Sequence, residues 1–217
     1  MRVITMKDKK LILKEKMDEI ETVVYQTLKP KGFRKHGGTL HRFVSEDISQ
    51  VINFQRGPVY YNETHLMWVN LGIRVPECDE RKFILSEPMK KFYKEYECTI
   101  RSRLGEIDGE KERCFNLKRN VVKISSEIID DIENKVLPVY DILSTREAIL
   151  AHRSKYPHFD MQRYLILLDE VMIYGHLDNM DKAKELFEMY YQNQVKEDAT
   201  HPHIAYLDKL AVSLHLR

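Results

Sequence analysis

The chain has 217 residues, of which 43% are hydrophobic and 32% charged, and its formal net charge is +1. This composition is typical of one large domain, or of a core domain with a smaller appendage, and it excludes a mainly disordered chain. A net charge so close to zero gives no overall attraction for nucleic acid or a membrane surface. No apolar run reaches the roughly 20 residues that span a bilayer.

The N-terminus and the cysteines both indicate a cytoplasmic protein. The short apolar start is followed at once by the charged run Lys7 to Lys10, which inverts the order of a secretory signal. The three cysteines, Cys78, Cys98 and Cys114, are an odd number without CxxC spacing. A disulfide framework and a zinc site are therefore disfavoured, and reduced thiols in a cytoplasm fit better.

The first predicted element is an amphipathic helix. Apolar residues recur at spacings of four and three from Leu13 to Leu28, with charged residues mostly on the other faces. Asp8 is the candidate N-cap, and Pro30 with Gly32 is expected to end the helix.

From Phe33 to Val75 the apolar period changes to two, which predicts strands. Thr39–Val44, Ile48–Phe54 and Met67–Val75 are the three predicted strands, and the pair Gly37-Gly38 is a predicted tight turn. Short connections between three consecutive strands favour an antiparallel meander.

The middle of the chain mixes both periods. Residues 79–96 have a helical pattern that Pro88 kinks or restarts, and residues 99–107 and 114–117 are short strand candidates around the turn-like Asp108-Gly109.

A second long helix is predicted for residues 121–143. Ser125 or Ser126 is the candidate cap, and Pro138 predicts a kink or break near Val136.

Beyond Ser144 the pattern is helical throughout. The apolar stripes of three helices are Tyr164, Leu165, Leu168 and Met172; Ala183, Leu186, Phe187 and Tyr190; and Ile204, Leu207, Leu210 and Leu214. Gly175 is expected to end the first of these helices, and Asp178 to cap the second.

The predicted fold class is α+β: a small, mostly antiparallel sheet flanked by helices, with an all-helical C-terminal extension. We expect a core domain over residues 1–144 and a helical extension over residues 145–217 that packs on it.

Catalytic motifs are absent from the sequence. It has no phosphate loop, dinucleotide fingerprint, nucleophile elbow or HExxH pair. His201 and His203, with Asp198 nearby, lack the further ligands that a metal site needs. We expect no enzyme activity, no cofactor and no metal.

Basic residues are concentrated in two groups. Between Glu21 and Glu46 there is no acidic residue, and the cations of this first group are Lys29, Lys31, Arg34, Lys35 and Arg42. The cations of the second group are Arg101, Arg103, Arg113, Lys118, Arg119 and Lys123. If the strands that bear them are neighbours, the groups form one positive face for an acidic protein or a phosphate backbone. Otherwise they form a solvated rim, balanced by Glu106, Glu110 and Glu112.

We single out a partner-binding set from these two groups: Lys31, Arg34, Lys35, Arg42, Arg101 and Arg103.

Five fragments resemble one family. They are Leu28 to Lys35, Thr39 to Arg42, Val51 to Gln55, Val69 to Ile73, and Arg103 to Glu106. Their combination resembles a bacterial family of unknown function, the domain of unknown function 4304.

The resemblance covers roughly residues 10–150, and it departs from the family pattern at Cys114 to Leu117, where a tryptophan is expected. It implies a small sheet flanked by helices and carries no established activity or catalytic residues. By analogy of size and organisation only, such proteins are similar to immunity proteins that neutralise bacterial toxins.

Three functions stay open at this point. The first is a non-catalytic protein-binding protein, such as an immunity or inhibitor protein acting on a toxin or another bacterial effector. The second is a nucleic-acid-associated protein that uses the basic groups. The third is an enzyme of unrecognised class, with His41, Gln55 and Arg103 brought together by the sheet. No membrane partner is expected.

Overall fold

The structure is a computed structural model that describes residues 6–45, 47–57, 65–82, 92–109, 113–159, 165–198 and 200–217. The chain divides into two compact units, one within residues 1–74 and 90–161 and the other within residues 75–89 and 162–217. The division into a core domain over residues 1–144 and a helical extension over residues 145–217 that packs on it stays a prediction.

Helix α1 (Met6–Leu28) opens the first unit and continues into a 3₁₀ turn over Lys29–Lys31. Its predicted end is confirmed, because Pro30 lies in that turn and Gly32 follows with a φ of 90°. The predicted N-cap is wrong, since Asp8 lies two residues inside a helix that already begins at Met6.

The sheet contains β1 (Arg34–His36), β2 (Thr39–Phe43), β3 (Ser49–Arg56), β4 (Leu66–Arg74), β5 (Ile100–Arg103) and β6 (Phe115–Asn116). The strand order is β1-β2-β3-β4-β5, with β6 also paired to β4, and every pairing is antiparallel. The predicted meander of β2, β3 and β4 is confirmed.

Strand β1 is the element of this sheet that the sequence pattern misses. The predicted Gly37-Gly38 turn therefore joins two strands, β1 and β2. Gly37 has a φ of 58°, which is why glycine suits this turn.

One side of the sheet, the apolar face, carries the core. Residues directly opposite each other on paired strands point to the same side, so the register assigns to this face Leu40, Ile52, Phe54, Met67, Val69, Leu71, Ile73, Ile100 and Phe115. All of them are buried. Two contacts show that α1 and the helix containing Tyr140 lie on this side: Lys35 pairs with Glu21, and Gln50 Nε2 donates to Tyr140 O at 2.5 Å.

The middle of the chain is less regular than the sequence pattern predicts. Pro76–Lys82 and Glu95–Glu97 are 3₁₀ turns within the predicted helix 79–96, and residues 83–91 of that prediction, with Pro88, lie outside the described residues. The predicted strand 99–107 is confirmed over Ile100–Arg103, but the chain then turns through Glu106–Asp108.

The second long helix is confirmed together with its break. It consists of α2 (Val121–Asp131), a π turn (Ile132–Val136) and α3 (Leu137–Ile142). Because Pro138 has no N–H to donate to the preceding turn, the wider π turn before it accommodates the lost hydrogen bond. The predicted cap is wrong: Asn120 Oδ1 accepts from Lys123 N at 3.1 Å.

Helix α4 (Arg146–His152) completes the regular elements of the first unit, with Thr145 as its N-cap.

The second unit contains the Pro76–Lys82 turn with α5 (Ile166–His176), α6 (Met180–Asp198) and α7 (Pro202–Ser213). Buried residues of the predicted stripes confirm these helices: Leu168, Met172, Ala183, Leu186, Phe187, Tyr190, Leu207 and Leu210. Tyr164 lies outside the described residues. The α+β class is confirmed, and the described part of this unit has no strand.

Two predicted ends in this unit are wrong. Gly175 lies inside α5, which ends one residue later at His176. Asp178 has a φ of 57°, and it is Asn179 whose Oδ1 accepts from Lys182 N at 3.3 Å.

Tyr140 ties the helices to the centre of the sheet. Its hydroxyl donates to Val51 O at 2.6 Å and accepts from Gly72 N at 3.1 Å, so it joins β3 and β4 from the apolar face. The side chain is fully buried, and this burial raises the pKa of Tyr140, which therefore keeps its proton.

We predict that Tyr140→Phe lowers the free energy of unfolding by about 1–3 kcal/mol, because it leaves buried backbone groups of β3 and β4 without a partner. Urea denaturation measures the change. Tyr25→Phe on α1, a half-buried position, is the matched control and should change stability little. A loss for Tyr140→Phe no larger than for this control would contradict the bridge.

Candidate binding site on the polar face of the sheet

The side of the sheet opposite the apolar face is polar, and the charged residues that the strands place on it are all basic. We call it the polar face, and the register assigns to it Arg34, His36, Thr39, His41, Phe43, Ser49, Val51, Asn53, Gln55, Leu66, Trp68, Asn70, Gly72, Arg74, Arg101, Arg103 and Asn116. The six described strands contain no aspartate or glutamate. Four arginines and two histidines therefore share this face without a carboxylate from the strands themselves.

Residues 92–98, the covering segment, cross part of the polar face. Phe92 stacks on His36 with ring centroids 4.3 Å apart and lies 5.1 Å from the ring of His41. The guanidinium carbon of Arg74 lies 3.6 Å from the ring centroid of Tyr93. These contacts place aromatic rings against cations and imidazoles.

Two further contacts fix the other end of the covering segment. Glu95 Oε1 accepts from Arg101 at 3.1 Å. A Cβ atom on Gly72 would lie 2.6 Å from Cys98 Sγ, so the segment approaches β4 more closely than any larger residue permits.

Side-chain amides lie on the polar face beside the strand positions of His41 and Arg101. Asn53 Nδ2 donates to Thr39 Oγ1, and Asn70 Nδ2 donates to Gln55 Oε1, both at 2.8 Å. Asn70 is buried, whereas Gln55 is exposed. These hydrogen bonds hold the amides of Asn53 and Asn70 in one orientation.

Several buried polar atoms on this face have no hydrogen-bond partner among the described residues. They are Nδ1 and Nε2 of His41, Oγ of Ser49, Nε1 of Trp68 and Nε of Arg101. His41 and Ser49 are each only 1% exposed. An unsatisfied buried polar group costs about 1–3 kcal/mol, so the concentration of such groups makes this face the candidate binding site.

His41 is uncharged at neutral pH. Burial, and then the neighbouring His36, lower the pKa of His41 to about 4. Its ring therefore offers one donor and one acceptor to a ligand.

The predicted partner-binding residues fall on both sides of the sheet. Arg34, Arg101 and Arg103 lie on the polar face, whereas Lys35 and Arg42 lie on the opposite side. Strands β3 and β4 separate β2 from β5, so Arg42 and Arg101 do not form one positive face.

Most of these cations are paired within the chain. Lys31 pairs with Glu133 at 3.3 Å, Lys35 with Glu21 at 3.2 Å, and Arg42 with Asp141 at 2.6 Å. Arg34 is exposed and has no ion pair with a described residue. In the second basic group, Arg113 pairs with Asp131, and Arg119 with Glu127.

The three residues of the enzyme alternative do share one side of the sheet. His41, Gln55 and Arg103 all lie on the polar face, in β2, β3 and β5. Ser49, Trp68, Asn70, Arg74 and Glu95 were not predicted as site residues from the sequence. The available signal was the polar residues at alternate strand positions. Without the covering segment, such a pattern indicates a side of the sheet that faces solvent.

Metal binding receives no support from the described residues, where no group of three or more His, Cys, Asp and Glu side chains is arranged to hold an ion. His203 instead stacks on Tyr206 at 5.1 Å, and its Nε2 lies 3.2 Å from the hydroxyl of Tyr190. None of the helices in the described ranges has the length and hydropathy of a membrane-spanning segment.

A family model agrees with the resemblance in the sequence. The model for a domain of unknown function, DUF4304, matches residues 24–142, more than half of the chain. The chain belongs to this family. The matched range includes every strand of the sheet, and with it the polar face. No curated protein and no solved structure matches the chain.

We predict that, because of His41, the free energy of unfolding decreases as the pH is lowered below neutral. The unfolded state binds more protons than the folded state between the ordinary pKa of 6.5 and the folded value of about 4. The free energy of unfolding therefore decreases as pH is lowered through this window, by on the order of 3 kcal/mol in full. His41→Phe removes this contribution, and urea denaturation at successive pH values measures it.

The wild-type and His41→Phe curves should differ by a constant amount at neutral pH and above, and this difference should change steadily as the pH falls from 6.5 to about 4. Glu21, whose pKa is raised chiefly by burial, contributes a slope of opposite sign in both proteins, so the difference isolates His41. The exposed His176 gives the control His176→Gln, which should follow the wild type. Parallel curves for wild type and His41→Phe would refute the assignment.

Proposed function

We propose that this protein acts by binding a protein partner through the polar face, without chemistry of its own. The observation that carries the proposal is the set of buried, unpartnered polar atoms of His41, Ser49, Trp68 and Arg101 on that face. A stable fold retains such groups where a ligand supplies the missing hydrogen bonds.

The rim of the polar face supports a protein as the partner. Phe43, at the end of β2, is 45% exposed, and Tyr96 of the covering segment is 55% exposed. Arg34 and Gln55 are exposed on the same side of the sheet. Aromatic residues and arginine around a partly buried polar centre match the composition of protein interfaces.

The other two functions find less support in the described residues. His41 has no hydrogen-bonded carboxylate to orient its ring, as a general base in a triad requires. Lys31, Lys35 and Arg42 are paired with carboxylates of the same chain, which lowers the potential available to a phosphate backbone.

The finer proposal is an immunity or inhibitor protein in the cytoplasm of a bacterium, which occludes the site of a toxin or another effector. Occlusion needs a complementary surface and charge, which the polar face and its rim provide. None of the described cysteines, Cys78, Cys98 and Cys114, takes part in a disulfide bond, in keeping with a reducing compartment.

Affinity capture from the native host tests the binding proposal. We expect the wild type to capture a protein, and Arg34→Glu to capture it at least about tenfold less, because this exposed arginine borders the site. Lys118→Glu, the same charge reversal at another exposed position, is the matched control. Equal capture by wild type and Arg34→Glu, or no protein captured above background, would overturn the proposal.

The captured protein then tests the finer proposal. Expressed alone in bacteria, it should arrest growth, and co-expression of the wild type should restore growth where Arg34→Glu does not. A captured protein that is harmless on its own would remove the immunity function and leave binding in place.

A further inference from the structure

The covering segment leaves much of the polar face unsatisfied. Next to Phe92 and Glu95, the ring nitrogens of His41 and Nε of Arg101 have no hydrogen-bond partner among the described residues, and neither does the hydroxyl of Ser49 on the same face. A segment selected only to close this face would be expected to satisfy these groups.

The charged residues of the polar face determine which ligands it favours. On the polar face, the exposed Arg34 has no ion pair with a described residue, and Nε of Arg101 is buried without a hydrogen-bond partner among the described residues. Glu95 of the covering segment brings one carboxylate, which Arg101 binds at 3.1 Å. A ligand that adds carboxylates therefore complements the face better than a neutral or basic ligand.

The covering segment also shows which side chains the face accepts. Phe92 lies against two imidazoles, Tyr93 against the guanidinium of Arg74, and Glu95 against the guanidinium of Arg101. Aromatic rings and a carboxylate thus occupy positions spaced along one short stretch of extended and 3₁₀ backbone.

We propose that the polar face binds an extended acidic segment of the partner protein, with aromatic residues between its carboxylates, in the place that the covering segment now occupies. This inference rests on the proposed function and names the chemistry of the partner. The partner's carboxylates replace that of Glu95 on Arg101, and its backbone and side chains bond to His41, Ser49 and Trp68.

A peptide fits this site better than a nucleic acid. Strands β2 and β5 are separated by three strand spacings, about 14 Å, which a few residues of extended chain cross. His41 is 1% exposed, so a ligand must replace the covering segment to reach it. A phosphate backbone instead needs a wide positive surface, and the cations on the other side of the sheet are already paired.

The test measures binding of fluorescent probes to the full-length chain at low salt. The acidic probe is a peptide that alternates glutamate with phenylalanine and tyrosine, and the neutral probe is the same peptide with glutamine for glutamate. Single-stranded oligothymidylate of equal charge is the third probe. We expect the acidic peptide to bind at least about tenfold more tightly than the other two.

Two variants locate the binding. Arg101→Gln should weaken binding of the acidic peptide about tenfold, whereas Arg119→Gln, which loses a surface ion pair with Glu127, should not. Glu95→Gln should strengthen it several-fold, because the covering segment then competes less for Arg101, and Glu127→Gln is its control. If Arg101→Gln lowers the melting temperature, the exposed Arg34→Gln takes its place.

Equal affinity for the neutral peptide, or weaker binding to Glu95→Gln than to the wild type, would overturn the inference. Equal or tighter binding of oligothymidylate would overturn it in favour of nucleic acid. If a host protein is captured in a manner sensitive to Arg34→Glu but the acidic peptide does not bind, the proposed function survives and the acidic segment does not. If neither binds, both proposals fail.

Discussion

The two layers around the sheet meet at Gly72, on the central strand β4. From the apolar face, the hydroxyl of Tyr140 accepts from Gly72 N and donates to Val51 O on β3. From the polar face, Cys98 occupies the space where a Cβ on Gly72 would lie. Because a residue with a side chain would displace the covering segment, the closeness of that segment to the sheet depends on this glycine.

The two faces of the sheet obey different constraints. On the apolar face, buried side chains such as Leu71 and Ile73 supply the hydrophobic stabilisation of the first unit, each roughly 1.5–3 kcal/mol. On the polar face, His41 and Ser49 are equally buried but unsatisfied, which lowers stability. The unsatisfied groups are thus confined to one face while the other face is closely packed, an arrangement that suits the binding site that we propose.

The charge pattern follows from the same division. Cations that point towards the helices find carboxylates there, as Lys35 does with Glu21 and Arg42 with Asp141. Arg101, on the polar face, finds its carboxylate in Glu95 of the covering segment. The covering segment thus shields part of the polar face and occupies the place that we propose for the partner.

Periodic patterns predicted the parts of this fold that local chemistry determines. The alternation from Met67 to Val75 predicts β4, and Pro138 predicts the break before α3, because each depends on neighbours in sequence. Strand β1 is too short to show a period.

The polar face was harder to predict, because it depends on contacts between residues far apart in sequence. Its residues look like an ordinary solvated side until Phe92 and Glu95 are placed over His41 and Arg101. The sequence showed that Arg42 and Arg101 are basic, but only the strand order and register show that they lie on opposite sides. The packing of Pro76–Lys82 in one unit with α5 is likewise a long-range contact that no periodicity reveals.

The most direct test of a partner site on the polar face uses Trp68, the single tryptophan of the chain. Its indole N–H is buried and has no hydrogen-bond partner within the described part of the chain. In a ¹H–¹⁵N spectrum this group gives one isolated resonance. On addition of the acidic peptide, or of the captured host protein, we predict that this resonance moves downfield and exchanges more slowly with solvent, because the ligand accepts its hydrogen bond. Saturable binding of either ligand that leaves the indole resonance unchanged would contradict the site.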